Sequence, residues 1–328
     1  FIEDYIPGIL NMTKNIENKE NIYIDLYFSM DENFEEIDTD KISITELSNK
    51  FIQQIKILLD NGFTKISYYN NYNKFKKFKY YDVEPMSIAR YRREFTNTYC
   101  NTVDYIMWGE TDSIFPEQTF SILESFNLID NISKRHIITF AYRKMWDLGW
   151  SELEHPVFHN DVYIDNDDWI LNNIASEKCR MSINQMNEIN NNSENRNNGY
   201  DVKVLPKPKF DGSCLVISSE LIKAGVCLPS ALLMSGEDTS LQWSISKIMG
   251  TKPVQYHISN ILRVHNRRHP LKRLYIKNEN NPYGFCGEND KGKWWKLLEF
   301  MSKENLNNLD NHNFKFYTWK DFFNKLNE

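Results

Sequence analysis

Residues 103–116, VDYIMWGETDSIFP, constrain the fold of this chain more than any other stretch. An apolar run that reads as a buried strand gives way to Glu110 and Asp112, spaced Glu-x-Asp, and then to Pro116, which starts the next segment. A chain built this way needs a sheet whose strand ends display carboxylates. Mg²⁺ and Mn²⁺ prefer hard oxygen ligands and share them with substrate phosphates, so such a strand end suits a divalent cation. A strand that ends in a solvated acidic turn is the alternative for this stretch taken alone.

The preceding residues alternate between two periodicities. Ile2, Tyr5, Ile6, Ile9 and Leu10 have helical spacing, and residues 22–31 then read as a strand ending in Asp31. Leu47, Phe51, Ile55, Leu58 and Leu59 fall on one face of a helix over 44–61, which Gly62 stops. A short strand over 63–69 and a helix over 85–100, carrying Arg90, Arg92 and Arg93, lead into the strand before Glu110. Helices alternating with strands predict an α/β domain with a largely parallel sheet. Ligands of such sheets collect beyond the carboxyl ends of the strands, which would put Asp31 and the Glu110/Asp112 pair on one edge.

A helix over 117–126 and a strand over 137–142 follow, and then the pattern turns irregular. The Asn-rich residues 184–198 predict a mobile loop or lid, bounded at about 184–200, with plain low complexity as the alternative. Regularity returns with a strand over 210–218, a helix over 219–224 and Gly225 as its stop. Glu237 and Asp238 precede a helix over 240–249; the helix dipole explains one acid there, and two adjacent ones exceed what capping needs. A strand over 256–264 ends at His265. Residues 294–300 and 319–326 predict amphipathic helices packed against the main domain, with peripheral membrane attachment as the alternative.

Composition narrows the class. Hydrophobic residues at 41% and charged residues at 26% suit a globular protein with a sizeable core. A formal charge of −6 argues against a surface that coats nucleic acid everywhere, while leaving room for a local basic groove. Five cysteines with no C-x-x-C pair predict free thiols in a reducing compartment and no Cys-based zinc site. No stretch approaches the roughly 18 apolar residues of a membrane span, and a cytoplasmic location is the expectation. The chain opens at Phe1 rather than Met, which is compatible with a preceding strand.

Taken in order, residues 5–13 (YIPGILNMT), the strand to Asp31, residues 87–91 (SIARY), residues 105–116, residues 212–225, residues 236–238 (GED) and Val264-His265 resemble the GT-A-fold nucleotide-sugar glycosyltransferases of the family 2 type. The likeness covers the chain to about His265. It implies a GT-A-like, Rossmann-type α/β domain over 1–270, with a mixed, mainly parallel sheet flanked by helices. Its donor half would span about 1–118 and its acceptor half about 119–270, with a helical C-terminal extension over 271–328.

The same resemblance implies roles for particular residues. Asp31 would lie near the nucleotide base and Arg90 near the donor, since Ala89-Arg90-Tyr91 matches an Ala-Arg-Asn segment with Tyr in place of Asn. Glu110-Thr111-Asp112 would be the Asp-x-Asp-type motif that holds Mn²⁺ or Mg²⁺ and the donor diphosphate. Asp238, of the Glu237-Asp238 pair, would be the catalytic base, and His265 a further metal ligand, with His257 the weaker candidate. Two departures stand out: Glu110 replaces an Asp, and Ser113 stands where a further acid is frequent. The longer Glu110 could reach the ribose or a metal-bound water while Asp112 holds the ion.

The implied activity is metal-dependent, inverting transfer of a sugar from a nucleoside-diphosphate donor, UDP first, to a hydroxyl on a glycan or protein. A hydroxymethylated DNA base, as in phage-type enzymes, is the alternative acceptor. Lys74, Lys76, Lys77 and Lys79 with Arg263, Arg267, Arg268, Lys272 and Arg273 would form its basic groove. A sugar nucleotidyltransferase and a noncatalytic sugar-binding protein are the readings from other classes.

Overall fold

Ile6 and Ile9 of helix α1 (Ile2–Met12), Ile24 and Leu26 of strand β1 (Tyr23–Met30) and Phe51, Ile55 and Leu58 of helix α2 (Ile44–Asp60) bury themselves in one cluster. The spacings explain it: alternate residues of a strand share a face, and residues three or four apart on a helix share a stripe. Ser43 caps α2 by accepting a hydrogen bond from the Glu46 amide at 3.2 Å, and Gly62 takes the left-handed turn after it at φ 87°. Strand β1 pairs in parallel with β2 (Lys65–Tyr72) along its whole length. The computed structural model describes residues 2–30, 43–72, 84–144, 152–158, 181–192, 199–232, 237–266 and 288–327.

A second, six-stranded sheet forms the centre of the described residues. Helix α3 (Glu84–Tyr99) leads into β3 (Tyr105–Gly109); β4 (Ser113–Ile114), helix α4 (Thr119–Asn127) and β5 (Ile137–Lys144) follow. Beyond helix α5 (Ile183–Asn191) come β6 (Val202–Val204), β7 (Cys214–Ser218), helix α6 (Ser219–Lys223), helix α7 (Glu237–Met249) and β8 (Gln255–His265). The order is β3-β7-β5-β8-β4, and β6 also pairs with β8. Strand β5 already occupies one edge of β8 along both its halves, so β6 and β4 share the other edge.

The fold is therefore mixed α/β. Its two long ladders, β1 with β2 and β5 with β8, are parallel, whereas the shorter β3–β7, β5–β7, β4–β8 and β6–β8 pairings are antiparallel. The parallel strands expected from helix–strand alternation are present. The antiparallel pairings depart from that expectation: β7, a strand that apolar periodicity reveals without its direction, runs against both β3 and β5, and the short β4 and β6, which it does not reveal, run against β8. Strand β7 is buried at all five positions, as a strand covered on both faces must be.

Part of the loop expected over 184–200 is a helix. Ser182 and Gln185 form a reciprocal capping box, and Met186 and Ile189 bury one face of α5. The Asn190 side chain completes the backbone of a neighbouring strand, accepting from the Leu262 amide at 2.6 Å and donating to the Leu262 carbonyl at 2.9 Å. Leu262 lies between Ile258, which pairs with β6, and Val264, which pairs with β4, so the amide side chain stands in for a strand partner on that edge of β8. Residues 193–198 lie outside the described set.

The C-terminal segment with helices α8 (Glu288–Asp310) and α9 (Trp319–Asn327) meets Ala231 and Leu232, where Ala231 bridges to Thr318 and the Leu232 amide donates to the Tyr317 carbonyl at 2.9 Å. Leu298, Met301 and Phe322 are buried, and Asn305 donates to the Leu232 and Tyr317 carbonyls, both at 2.7 Å. Among the described residues no helix is long and apolar enough to cross a membrane.

His257, on β8, gives the fold a pH signature. Burial is the main cause that pushes its imidazole down to about 4, and Lys203 adds to it. The folded state thus holds His257 neutral, while the unfolded chain protonates it below about 6.5. This contribution is fully present above 6.5 and is lost as pH falls toward 4, costing at most about 3 kcal/mol. Urea unfolding at several pH values should show that slope in the wild type and a shallower one in His257→Gln; equal slopes would exclude this origin.

Candidate functional site

Strand β3 carries the chain to Gly109, a turn closed by the Ser113 amide donating to the Glu110 carbonyl at 3.0 Å follows, and β4 then pairs Ser113 with His265. The register places Asp112 beside the end of β8, where the Asn266 amide donates to the Asp112 carbonyl at 2.8 Å. Gly109 is needed at the bend, because a Cβ there would sit 2.9 Å from the Tyr5 hydroxyl and 3.0 Å from Phe115 Cζ.

Three side chains converge as a result. His265 Nε2 lies 2.9 Å from Asp112 Oδ1 and 3.3 Å from Glu110 Oε2. One donor atom from each residue falls within 4.8 Å of the others, so the group could hold a metal ion. Cis donors of an octahedral ion at about 2.1 Å are about 3.0 Å apart, which these separations match. Two carboxylates and one imidazole form an oxygen-rich donor set that suits Mn²⁺ and Mg²⁺ better than soft metals.

The cluster is electrostatically poised. Burial alone would lower the His265 pKa, but the charges and hydrogen bonds of Asp112 and Glu110 more than offset it and raise the group. Burial alone would raise Glu110, but His265 and then Arg92 hold its carboxyl below the ordinary range. A cation arriving here would take over the charge that the protonated imidazole balances.

A second acidic focus faces the first. Glu237 and Asp238 open helix α7, and Asp238 Oδ2 accepts from the Gly212 amide at 3.0 Å while Oδ1 accepts from the Thr239 amide at 2.6 Å. Burial pushes Glu237 up to about 7; Arg92 opposes that shift and Asp238 adds to it. Burial, and then the nearby Asp211, likewise raise Asp238. Gly212 has no room for a side chain, since a Cβ would stand 2.8 Å from Glu237 Oε1 and closer still to the Arg92 guanidinium.

Arg92 joins the two foci. Its side chain is 9% exposed; it is ion-paired with Glu237, lies 3.5 Å from Glu110 Oε1 and donates to the Gly212 carbonyl at 2.7 Å. Its guanidinium rests over the Trp108 ring at 5.1 Å, and Trp108 is fixed in turn by donating to Thr96 Oγ1 at 3.1 Å. Arg90, the arginine singled out by the Ala-Arg-Tyr match, is exposed instead and lies 3.6 Å from Glu94. Helical periodicity carries the missed signal: Arg92 shares a stripe with buried Ala89 and Thr96, whereas Arg90 shares one with Glu94.

The other candidates sort plainly. Glu110, Asp112 and His265 come together, and Glu237 and Asp238 reach them through Arg92. His257 lies at the far end of β8, 3.3 Å from Thr139 Oγ1. Asp31 and the basic residues 74–79 and 267–273 lie outside the described residues. Arg263, counted toward a basic groove, is buried and paired with Asp211 at 2.9 Å. A charged residue inside the apolar run of β8 requires such a buried partner, a signal the sequence did carry.

Five carboxylates (Glu110, Asp112, Asp211, Glu237 and Asp238) thus meet two guanidiniums and one imidazole, which leaves the region net negative and receptive to a cation. No protein-family model matches this chain, and a search of the curated proteins finds no match either.

Proposed function

We propose that this protein is a metal-dependent inverting glycosyltransferase with a GT-A-like catalytic domain, using a nucleoside-diphosphate sugar, UDP first, and an acceptor hydroxyl on a glycan or protein. One observation carries the reading. Glu110 and Asp112 meet His265, which is 153 residues from Asp112, in a cation-compatible cluster, and a second carboxylate pair stands beside them.

Asp112, His265 and Glu110 would hold Mn²⁺ or Mg²⁺, which when bound supplies positive charge to neutralise the departing diphosphate. Arg92 fixes the distance between this cluster and helix α7 and keeps Glu237 engaged. Asp238 then takes the proton of the attacking hydroxyl, and its raised pKa makes it a better proton acceptor than an ordinary carboxylate. Backbone amides of Gly212 and Thr239 hold both its oxygens in place. With one base and no second nucleophile assigned, the displacement inverts the anomeric carbon.

Ligand binding to the folded state raises apparent stability, so a thermal-shift comparison of nucleoside diphosphates with and without Mn²⁺ tests the reading. UDP with Mn²⁺ should raise the midpoint of the wild type and leave Asp112→Asn unmoved. An equal rise without the ion would point to a noncatalytic binding protein, and no rise with any nucleoside diphosphate would remove the proposal.

A further inference from the structure

Strand β6 leaves an edge of the central sheet open, since among the described residues it pairs with β8 alone. That pairing is antiparallel: the Leu205 amide donates to the Gln255 carbonyl at 3.0 Å, and the Ser259 amide donates to the Asp201 carbonyl at 2.8 Å. Hydrogen bonding alternates along such a ladder, so residues 201, 203 and 205 turn their backbone groups toward β8, and Val202 and Val204 turn theirs away. Among the described residues, none hydrogen-bonds to those outward groups. The Val202 and Val204 side chains, 42% and 60% exposed, lie on one face of the strand. Asp201 and Lys203 lie on the other, paired with each other at 2.9 Å.

Outward donors and acceptors beside exposed valines are a template for another strand, and a charge such as Lys203 usually blunts it. Here the charges select a register instead. When two copies of this strand run antiparallel and only even-numbered residues point outward, the two-fold axis must pass through a residue. An axis at Asp201 sets that carboxylate against its own copy, and an axis at Lys203 does the same to the ammonium; both juxtapose like charges. An axis at Val204 brings Pro206, which has no N–H, opposite Val202. An axis at Val202 puts Asp201 of each copy opposite Lys203 of the other, and Val204 opposite Tyr200. The charged residues then form the non-hydrogen-bonded pairs, whose side chains approach more closely. Together with the Asp201–Lys203 contact inside each copy, four charges alternate in sign around the axis.

We propose that β6 is a self-association surface: two copies of this chain pair antiparallel through β6 about Val202, which joins their central sheets into one. The surface lies at the end of β8 opposite His265, so this inference does not rest on the cation reading of Glu110, Asp112 and His265.

Sedimentation equilibrium reads the state directly. With rising concentration the wild type should move from the 39.1 kDa of one chain toward twice that mass. Lys203→Asp, which leaves acids at both positions, and Asp201→Lys, which leaves bases at both, should each stay monomeric over the same range. An equimolar mixture of the two should regain the dimer, because opposite charges then face each other across the axis. Damage to the fold of either variant would not be repaired by mixing. In the wild type, which needs no substitution, exchange of the Val202 and Val204 amides should slow as the concentration rises, while that of the Lys203 amide, directed at β8, stays unchanged. A wild type that remains monomeric, single variants that still dimerise, a mixture that does not recover, or Val202 and Val204 amides indifferent to concentration would overturn this inference.

Discussion

Asp238→Asn should lower the rate of sugar transfer by about 10²- to 10⁴-fold, the usual contribution of a positioned general base, while Mn²⁺-dependent stabilisation by UDP persists. The substitution keeps the size of the side chain and an oxygen able to accept from the Gly212 amide, but it removes the proton acceptor. Glu237 does not substitute for it, because its carboxylate is committed to Arg92. A single-turnover assay with a donor that the thermal-shift comparison identifies reads transfer directly. Transfer at the wild-type rate would remove Asp238 as the base.

Arg92→Met should destabilise the protein by about 3–5 kcal/mol, the cost of leaving buried charges without their partner. Arg92 balances Glu237, supports Glu110 and satisfies the Gly212 carbonyl, and its stem covers Trp108. Lowering the pH should narrow the deficit, since protonating Glu237, whose carboxyl is pushed up to about 7, removes one of the unbalanced charges. Arg90→Met, on the exposed side of the same helix, should stay within about 0.5 kcal/mol of the wild type. Urea midpoints of the two variants compare them; equal losses would mean that Arg92 is no more than a surface residue.

The contrast between these two arginines shows what the sequence makes legible. Long periodic segments are readable because burial imposes their spacing, and β5, β7, α2 and α3 lie close to where apolar patterns place them. The Glu-x-Asp turn and His265 are visible as chemistry at strand ends, but the sequence does not say what brings them together. A two-residue strand does that, and β4 is too short to carry any periodicity. Asn190 shows the same limit from the other side: composition marks an Asn-rich stretch as loop, whereas an amide placed against an irregular strand acts as backbone. Tyr142 carries no motif, and its place 3.4 Å from His265 Nδ1 exists only in the folded sheet.

One cation held by Glu110, Asp112 and His265 is the centre of the proposed chemistry. Titrating Mn²⁺ into the wild type, Asp112→Asn and His265→Gln, with Asp201→Asn as a surface carboxylate control, tests that most directly. The predicted result is one ion bound by the wild type and by Asp201→Asn and none by the other two. The wild-type affinity should fall as the pH drops through the raised His265 titration, because the ion must displace that proton. Equal binding by all four proteins, or none by the wild type, would contradict it.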